Sequence, residues 1–281
     1  MTVRTVCPAK INLSLVVLPP DATGLHPLRT TFLTIGLCDE LAVTRLEDPL
    51  ARSSIHVQFD GIPHFDWPED NTLAKTLRLV AEMLAIPPLR IELVKRIPTE
   101  SGLGGGSSNA AGLLRVLGRF LAVPLTPDQR VDLAASVGWD VPFFMTGGHA
   151  HAEGYGERLR GLDDPQEKWF ALAMPRASVS SAAAYARLDE VDFERAVGYP
   201  TGHNDFERVS PPESLDLIGR LRSLGANPAM LSGSGSAVFG RFDRREDAER
   251  AARALAEAGT PWTAVAPSLA RSSSLAVWVE A

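Results

Sequence analysis

"IPTESGLGGGSSNAAGLLRVLGRFL", residues 97–121, sets Gly102, Gly104, Gly105 and Gly106 directly against the start of a helical pattern. Glycine inside a regular element costs about 0.5–1 kcal/mol relative to alanine, so such a cluster asks for a reason. Ser107, Ser108 and Asn109 follow as helix caps, and Ala110, Leu113, Leu114, Leu117 and Leu121 mark a buried helical face. Glycines ahead of a helix let backbone N–H groups approach an anion, toward which the helix dipole turns its positive end. The stretch reads as a phosphate-binding loop or as a glycine-rich connection into a capped helix. The run of glycines followed by paired serines favours phosphate.

Three familiar phosphate loops do not fit. A Walker loop needs Lys and then Ser or Thr after the last glycine, but Gly106 is followed by Ser107 and Ser108. A dinucleotide fingerprint would put glycine at position 107 and an acid about twenty residues on. The protein-kinase glycine loop joins two strands, whereas this one opens a helix.

The rest of the chain sets limits on partners. Its 281 residues, 45% of them hydrophobic, suffice for one large core or two ordinary ones. A net charge of −6 with scattered basic residues argues against a nucleic-acid partner. With no membrane-length apolar run and no signal-peptide pattern, no membrane partner and a cytoplasmic location are expected. Cys7 and Cys38 have no metal or redox spacing, which fits a reducing compartment.

Around the loop, strands and helices mix without regular alternation, which predicts an α+β pair of domains. "AKINLSLVVL" alternates Ile11, Leu13 and Leu15 with Lys10, Asn12 and Ser14, the period of a strand. "LRIELVKRI" is a strand leading into the glycines. A helix over residues 72–84 is capped by Asp70 or Asn71 and stopped by Pro87 and Pro88; another follows the Thr126 cap and Pro127 and closes at Gly138. From Arg158 the pattern restarts. "KWFALAMP" and "WTAVAP" read as strands, "SLDLIGRLRSLGA" and "REDAERAARALAEAG" as helices, and "PAMLSGSGSAVFGRF" as two strands around a glycine turn. Gly198 to Pro212 reads as a long loop. His149 and His151 alternate as on a strand; no third metal ligand is near, and catalytic zinc wants three.

Pro98 through Ala111, a proline, a spacer and Gly-Leu-Gly followed by serines and alanines, resembles the central motif of the GHMP kinases, a superfamily of small-molecule kinases. "PAKINLSL" (8–15) and "LSGSGSAVFG" (231–240) resemble that superfamily's first and third motifs, so the likeness spans nearly the whole chain. It implies a two-domain fold with a ribosomal-protein-S5-like N-terminal domain (1–157), a ferredoxin-like C-terminal domain (158–281) and an active site between them. "GLGGGSSNAA", "WDVPFF" and "HAEGYGERL" are similar to the family of 4-diphosphocytidyl-2-C-methyl-D-erythritol kinases. That resemblance implies ATP and Mg²⁺ as cofactors. The implied reaction is phosphorylation of the 2-hydroxyl of a cytidine diphosphate-linked methylerythritol in the non-mevalonate route to isoprenoids.

Carried over by motif, the resemblance implies Lys10 and Asp140 as catalytic residues. By themselves, Lys10 reads first as a solvated strand lysine, and Asp140 reads equally as a cap of the next short helix. ATP is expected at Pro98, Gly102, Leu103, Gly104, Gly105, Gly106, Ser107, Ser108 and Asn109. Asn71 and Lys95 are expected near adenine, or else as a helix cap and a solvated strand end. The acceptor is expected at Asn12, Leu25, His26, Ser181, Tyr185, Gly233 and Gly235, with Ser181 reaching Lys10. Metal ligands stay unassigned. The chain departs from the family at Leu25, where an aromatic ring is usual, and at Trp139, where a small residue is usual. Another GHMP-type alcohol kinase and a non-catalytic nucleotide sensor remain rival readings, with a dehydrogenase more distant.

Overall fold

The structure, a computed structural model, describes residues 1–62, 67–177 and 179–280. In chain order the first half runs β1 (Thr2–Val17), β2 (Leu28–Arg45), β3 (Ser54–Phe59), α1 (Thr72–Met83), β4 (Leu89–Lys95), α2 (Gly105–Leu117), α3 (Pro127–Val137), α4 (Val141–Thr146), β5 (His149–Glu153) and β6 (Arg158–Leu162). The second half runs β7 (Trp169–Met174), α5 (Ser181–Asp189), α6 (Pro212–Ser223), β8 (Ala229–Leu231), β9 (Val238–Phe242), α7 (Arg245–Glu257), β10 (Trp262–Pro267), α8 (Arg271–Ser274) and β11 (Val277–Glu280).

The larger sheet has the order β11-β1-β2-β4-β3, with β5 on the other end of β2 and β6 beyond it. All its pairings are antiparallel except β3 with β4, joined by the α1 crossover. β1 carries Pro8, which has no N–H to give a ladder. The pairing with β2 shifts register there, between Pro8 and Ala9, and again between Asn12 and Ser14. Such bulges re-aim side chains, and these two bracket Lys10 and Asn12. The alternation expected for this strand holds, but its polar face is not solvated: Lys10, Asn12 and Ser14 are buried.

Helix α2 crosses β1 closely because Gly112 leaves room for the Cys7 sulfur. α1 and α3 pack beside it, capped by Asn71 and by a Thr126–Gln129 capping box. Together these helices and the sheet enclose a core that includes Leu41, Leu73, Ile91, Leu113 and Phe143.

The smaller sheet is antiparallel in the order β10-β7-β9-β8, with α6 and α7 packed on it. Fourth-first-third-second is the order of a ferredoxin-like unit, as expected. The anticipated division between residues 157 and 158 falls within the turn of the β5–β6 hairpin. β6 thus belongs to the larger sheet, and β11 returns to that sheet after the smaller one is complete. The loop expected over residues 198–212 contains a 3₁₀ turn, Asp205–Val209, and is tied to β1 by Val17 N donating to Asp205 and Leu15 N to the His203 carbonyl.

Candidate active site

A cavity of about 470 Å³ opens where α2 begins, and both halves of the chain line it. The helix starts one turn earlier than its serines suggest. Gly104, at φ +74°, is the N-cap, and Gly105 is already helical. Ser107, Ser108 and Asn109 therefore lie inside the helix rather than capping it. The early start leaves the N–H groups of Gly105, Gly106 and Ser107 without acceptors among the described residues, at the positive end of a 13-residue helix. Pro98, Gly102, Gly104, Gly105, Gly106 and Ser107 line the cavity.

Not all of the expected loop side chains face it. Leu103 is a core residue whose carbonyl accepts from Lys10 N at 2.9 Å. Ser108 is fully buried with an unpartnered hydroxyl. Asn109 is buried as well, donating to Asp39 at 2.8 Å.

Asp39 is a support that the sequence reading missed. Its carboxylate, fully buried, accepts from Lys95 Nζ at 2.5 Å, from Asn109, and from the backbone N–H groups of Arg96 and Ile97. Lys95 is thus no solvated strand end. Its ammonium lies under Gly105, where an added Cβ would stand 2.7 Å from Nζ. Asn71 is engaged as the α1 cap, accepting from Leu73 and Ala74 N–H, while Thr72 beside it faces the cavity.

Lys10 and Asp140, both lining the cavity, meet with Nζ 3.6 Å from Oδ2. Asp140 stands at the N-cap position of α4 but makes no capping hydrogen bond, so its carboxylate is free for Lys10. The ammonium also donates to Asn12 Oδ1 at 2.7 Å and lies 5.2 Å from the Phe32 ring centroid. Burial pulls Lys10 below the ordinary lysine value, and the charge of Asp140 and its hydrogen bond partly offset this.

Asn12 is occupied rather than free for a ligand. Its Oδ1 accepts from both Lys10 and Gly233 N, and its amide donates to Thr30 at 2.7 Å. It clamps the lysine to the glycine turn between β8 and β9. That turn packs directly on the phosphate loop: a Cβ added at Gly102 (φ +78°) would run into the Ser232 carbonyl. Gly233 (φ +57°) lines the cavity, whereas Gly235 (φ +94°) faces Leu231. Ser181 does not reach Lys10; its hydroxyl pairs with that of Ser234 at 2.8 Å.

At the far end Tyr185 lines the cavity, edge-on to Phe206 and stacked on His26 with centroids 5.5 Å apart. Burial, reinforced by the charge of Asp140, pushes the Tyr185 hydroxyl up to about 12. His26 is held by the Leu18 carbonyl at 2.8 Å and Asp189 at 2.9 Å. Leu25 points outward, 47% exposed, and is not part of the wall. Trp139 and Tyr155 are, and the sequence reading assigned neither a contact.

An anion cradle at a helix N-terminus, facing a carboxylate–ammonium pair, is the equipment of a phosphotransferase acting on an alcohol. The descriptions of the GHMP kinase N-terminal and C-terminal domains match residues 71–148 and 182–260, respectively. The chain is 35% identical over 277 residues to the 4-diphosphocytidyl-2-C-methyl-D-erythritol kinase of Pelobacter propionicus, covering 93% of this chain and 97% of that one. With the enzyme of the same name from Moorella thermoacetica it shares 36% over 270 residues, covering 88% and 93%. The crystal structure of a 4-(cytidine 5′-diphospho)-2C-methyl-D-erythritol kinase superposes with a TM-score of 0.76 at 32% identity, over 94% of this chain and 98% of that one. The homoserine kinase of Cytophaga hutchinsonii, 16% identical with a TM-score of 0.70 over 99% and 97%, shares the fold. The chain is a GHMP kinase, and within that class it belongs to the 4-diphosphocytidyl-2-C-methyl-D-erythritol kinase family.

Proposed function

We propose that the protein transfers the terminal phosphoryl group of ATP to the 2-hydroxyl of 4-diphosphocytidyl-2-C-methyl-D-erythritol, in the cytoplasm. The observation that carries this reading is the 3.6 Å approach of Lys10 and Asp140 in the cavity that the glycine loop opens onto. Free N–H groups from Gly105 to Ser107 hold the phosphate oxygens, and the dipole of α2 favours their charge. Asp140 orients the acceptor hydroxyl and takes its proton. Lys10, clamped by Asn12, stabilises charge on the moving phosphoryl group. Phosphoryl transfer through a loose transition state asks mainly for such positioning and charge. Burial of Lys10 and the apolar ring of Phe32 beside it keep water from that corner.

Magnesium fits the donors present. It takes oxygen ligands, keeps several waters and binds through one or two protein groups plus phosphates. Ser107, Thr72 and Asp140 line the cavity near the loop and carry oxygens that would hold it. When bound with the nucleotide, the metal supplies neutralising charge to the phosphates.

The second half of the chain provides the acceptor's cytidine end, with Tyr185 as an aromatic wall held by His26. The test is a single assay of purified protein with ATP and the diphosphocytidyl substrate, with and without magnesium. Magnesium-dependent product formation supports the reading. ATP consumption with homoserine or mevalonate but not with this substrate refutes it, as does nucleotide binding without turnover on any of them.

A further inference from the structure

Gly233, in the glycine turn between β8 and β9, sits against both the phosphate loop and Lys10. Its φ is +57°, and a Cβ there would stand 3.1 Å from the Gly102 carbonyl oxygen and 3.3 Å from Lys10 Nζ. The residue has no side chain with which to hold its place. Both of its backbone polar groups are taken instead by buried asparagine side chains. Its N–H donates to Asn12 Oδ1 at 2.8 Å, the atom that also accepts from Lys10, and its carbonyl accepts from Asn204 Nδ2 at 2.8 Å.

Asn204 is itself firmly fixed. It is 4% exposed and caps the 3₁₀ turn Asp205–Val209, with Oδ1 accepting from Phe206 N at 3.0 Å. Its Nδ2 also donates to the Leu231 carbonyl at 3.0 Å, and Glu207, from the same turn, accepts from Leu231 N at 3.0 Å. β8 is an edge strand of the smaller sheet, so these two side chains stand where a further strand would pair. The backbone at Asn204 bridges to Leu15, and Asp205 accepts from Val17 N at 2.8 Å, which ties the turn back to β1. The bonds therefore close a ring that begins and ends on β1, running Asn12, Gly233, Asn204, Leu15. A buried ring of this kind fixes one arrangement, because slackening any link leaves a buried polar group unpaired. Asn204 does not line the cavity, so whatever it does for the chemistry it does through Gly233.

We propose that Asn204 is a positioning residue for phosphoryl transfer: through Gly233 and Asn12 it sets where the Lys10 ammonium stands against Asp140. The inference rests on the roles given to Lys10 and Asp140 above and goes beyond them. Steady-state kinetics with ATP and the diphosphocytidyl substrate, at a temperature where each variant's melting curve shows it folded, test the two at separate points. Asn204→Ser keeps an oxygen for Phe206 N but is too short to reach both carbonyls. A misplacement of about 1 Å at the reacting centre can cost about 100-fold, and a slackened clamp displaces Lys10 by less. The serine variant therefore loses about tenfold in kcat while KM for ATP stays within about threefold. Asn12→Ala lowers kcat by at least about tenfold, and the double variant falls no more than about threefold below Asn12→Ala alone, because both act through one ring. Ser210→Ala, which loses only its bond to the Phe206 carbonyl at 2.8 Å in the same turn, lowers Tm but keeps kcat within about twofold. Asn204→Asp, which keeps the shape and offers neither carbonyl a proton, repeats the pattern of the serine variant and takes its place if that one does not fold. If wild type does not turn over, the reading of Lys10 and Asp140 falls and this one with it. If wild type turns over and the Asn204 variants lose stability alone, or if the losses of the Asn12 and Asn204 variants multiply, only the positioning role is overturned.

Discussion

Replacing Gly104 with alanine tests the geometry of the phosphate loop at its tightest point. The residue caps α2 at φ +74°, a conformation that costs an L side chain about 1–2 kcal/mol. Its added Cβ would stand 2.8 Å from Phe144 Cζ, 2.9 Å from Cε2 and 3.1 Å from Lys10 Cγ. Carbon atoms pack best at about 3.5–4.0 Å, so the loop must retreat from Phe144, which is buried and cannot swing away, by roughly 0.7 Å. Overpacking of this kind costs about 1–3 kcal/mol, for a total near 2–5 kcal/mol. At this chain length that is a fall of about 3–8 °C in Tm. Activity suffers separately, because the retreat moves the free N–H groups and presses on the stem of Lys10. A misplacement of about 1 Å can cost about 100-fold, so a loss of roughly 10- to 100-fold in kcat/KM is expected. Thermal denaturation and steady-state kinetics on the same preparation give both numbers. Gly118→Ala is the control: at φ −55° with nothing within 4 Å of its Cβ, it leaves both unharmed. A Gly104→Ala protein with wild-type Tm and kcat/KM within threefold of normal would refute the account of the loop.

Asp140→Ala removes no capping bond but leaves Lys10 without its carboxylate, so the protein stays folded with a lowered melting temperature while kcat drops by about 10²–10⁴; near-normal turnover would sink the mechanism. The lowered value of Lys10 sets a pH effect. Its charge is lost as pH rises through a folded-state value below the ordinary 10.5, so kcat/KM falls on the alkaline side before pH 10.5. Below 10.5 the unfolded chain holds this proton more tightly, so the same group's contribution to stability rises with pH through that window. The activity loss therefore occurs without unfolding; an alkaline limb at or above 10.5 contradicts the assignment. Asp39→Ala strands the Lys95 charge under the loop and costs about 3–5 kcal/mol in urea denaturation. Combining it with Lys95→Met recovers part of that loss, and a double variant less stable than the single one would show that the ion pair is not the cause.

Much of this was legible before the fold was known, and the failures have physical reasons. The glycine loop, the strand carrying Lys10 and the cap at Thr126 are local patterns, and local patterns survive folding. The helix start was misplaced because serines after a glycine look like caps, whereas Gly104 takes up the left-handed turn itself and frees the N–H groups. Lys95 read as a possible solvated strand end and Asn12 as an acceptor contact because alternation shows only which face of a strand a residue occupies. Whether a second layer covers that face is decided by segments far away in sequence: Asp39 for Lys95, and the Gly233 turn for Asn12. Ser181 could not be paired with Ser234 from spacing alone, and Tyr155 reaches its partners Asp21 and Thr23 across more than a hundred residues.

Strand β1 supplies Val3 and Cys7 to the core under α2, Ala9 and Ile11 to the layer between the sheets, and Leu15 and Val17 to the core of the smaller sheet. One continuous ribbon is thus a spine common to all three, and Lys10 rides on its middle. The two halves are not jaws on a hinge, since opening them would mean breaking that spine's ladder and emptying three packed interiors at once. Both halves of the cavity wall therefore stand on one shared strand.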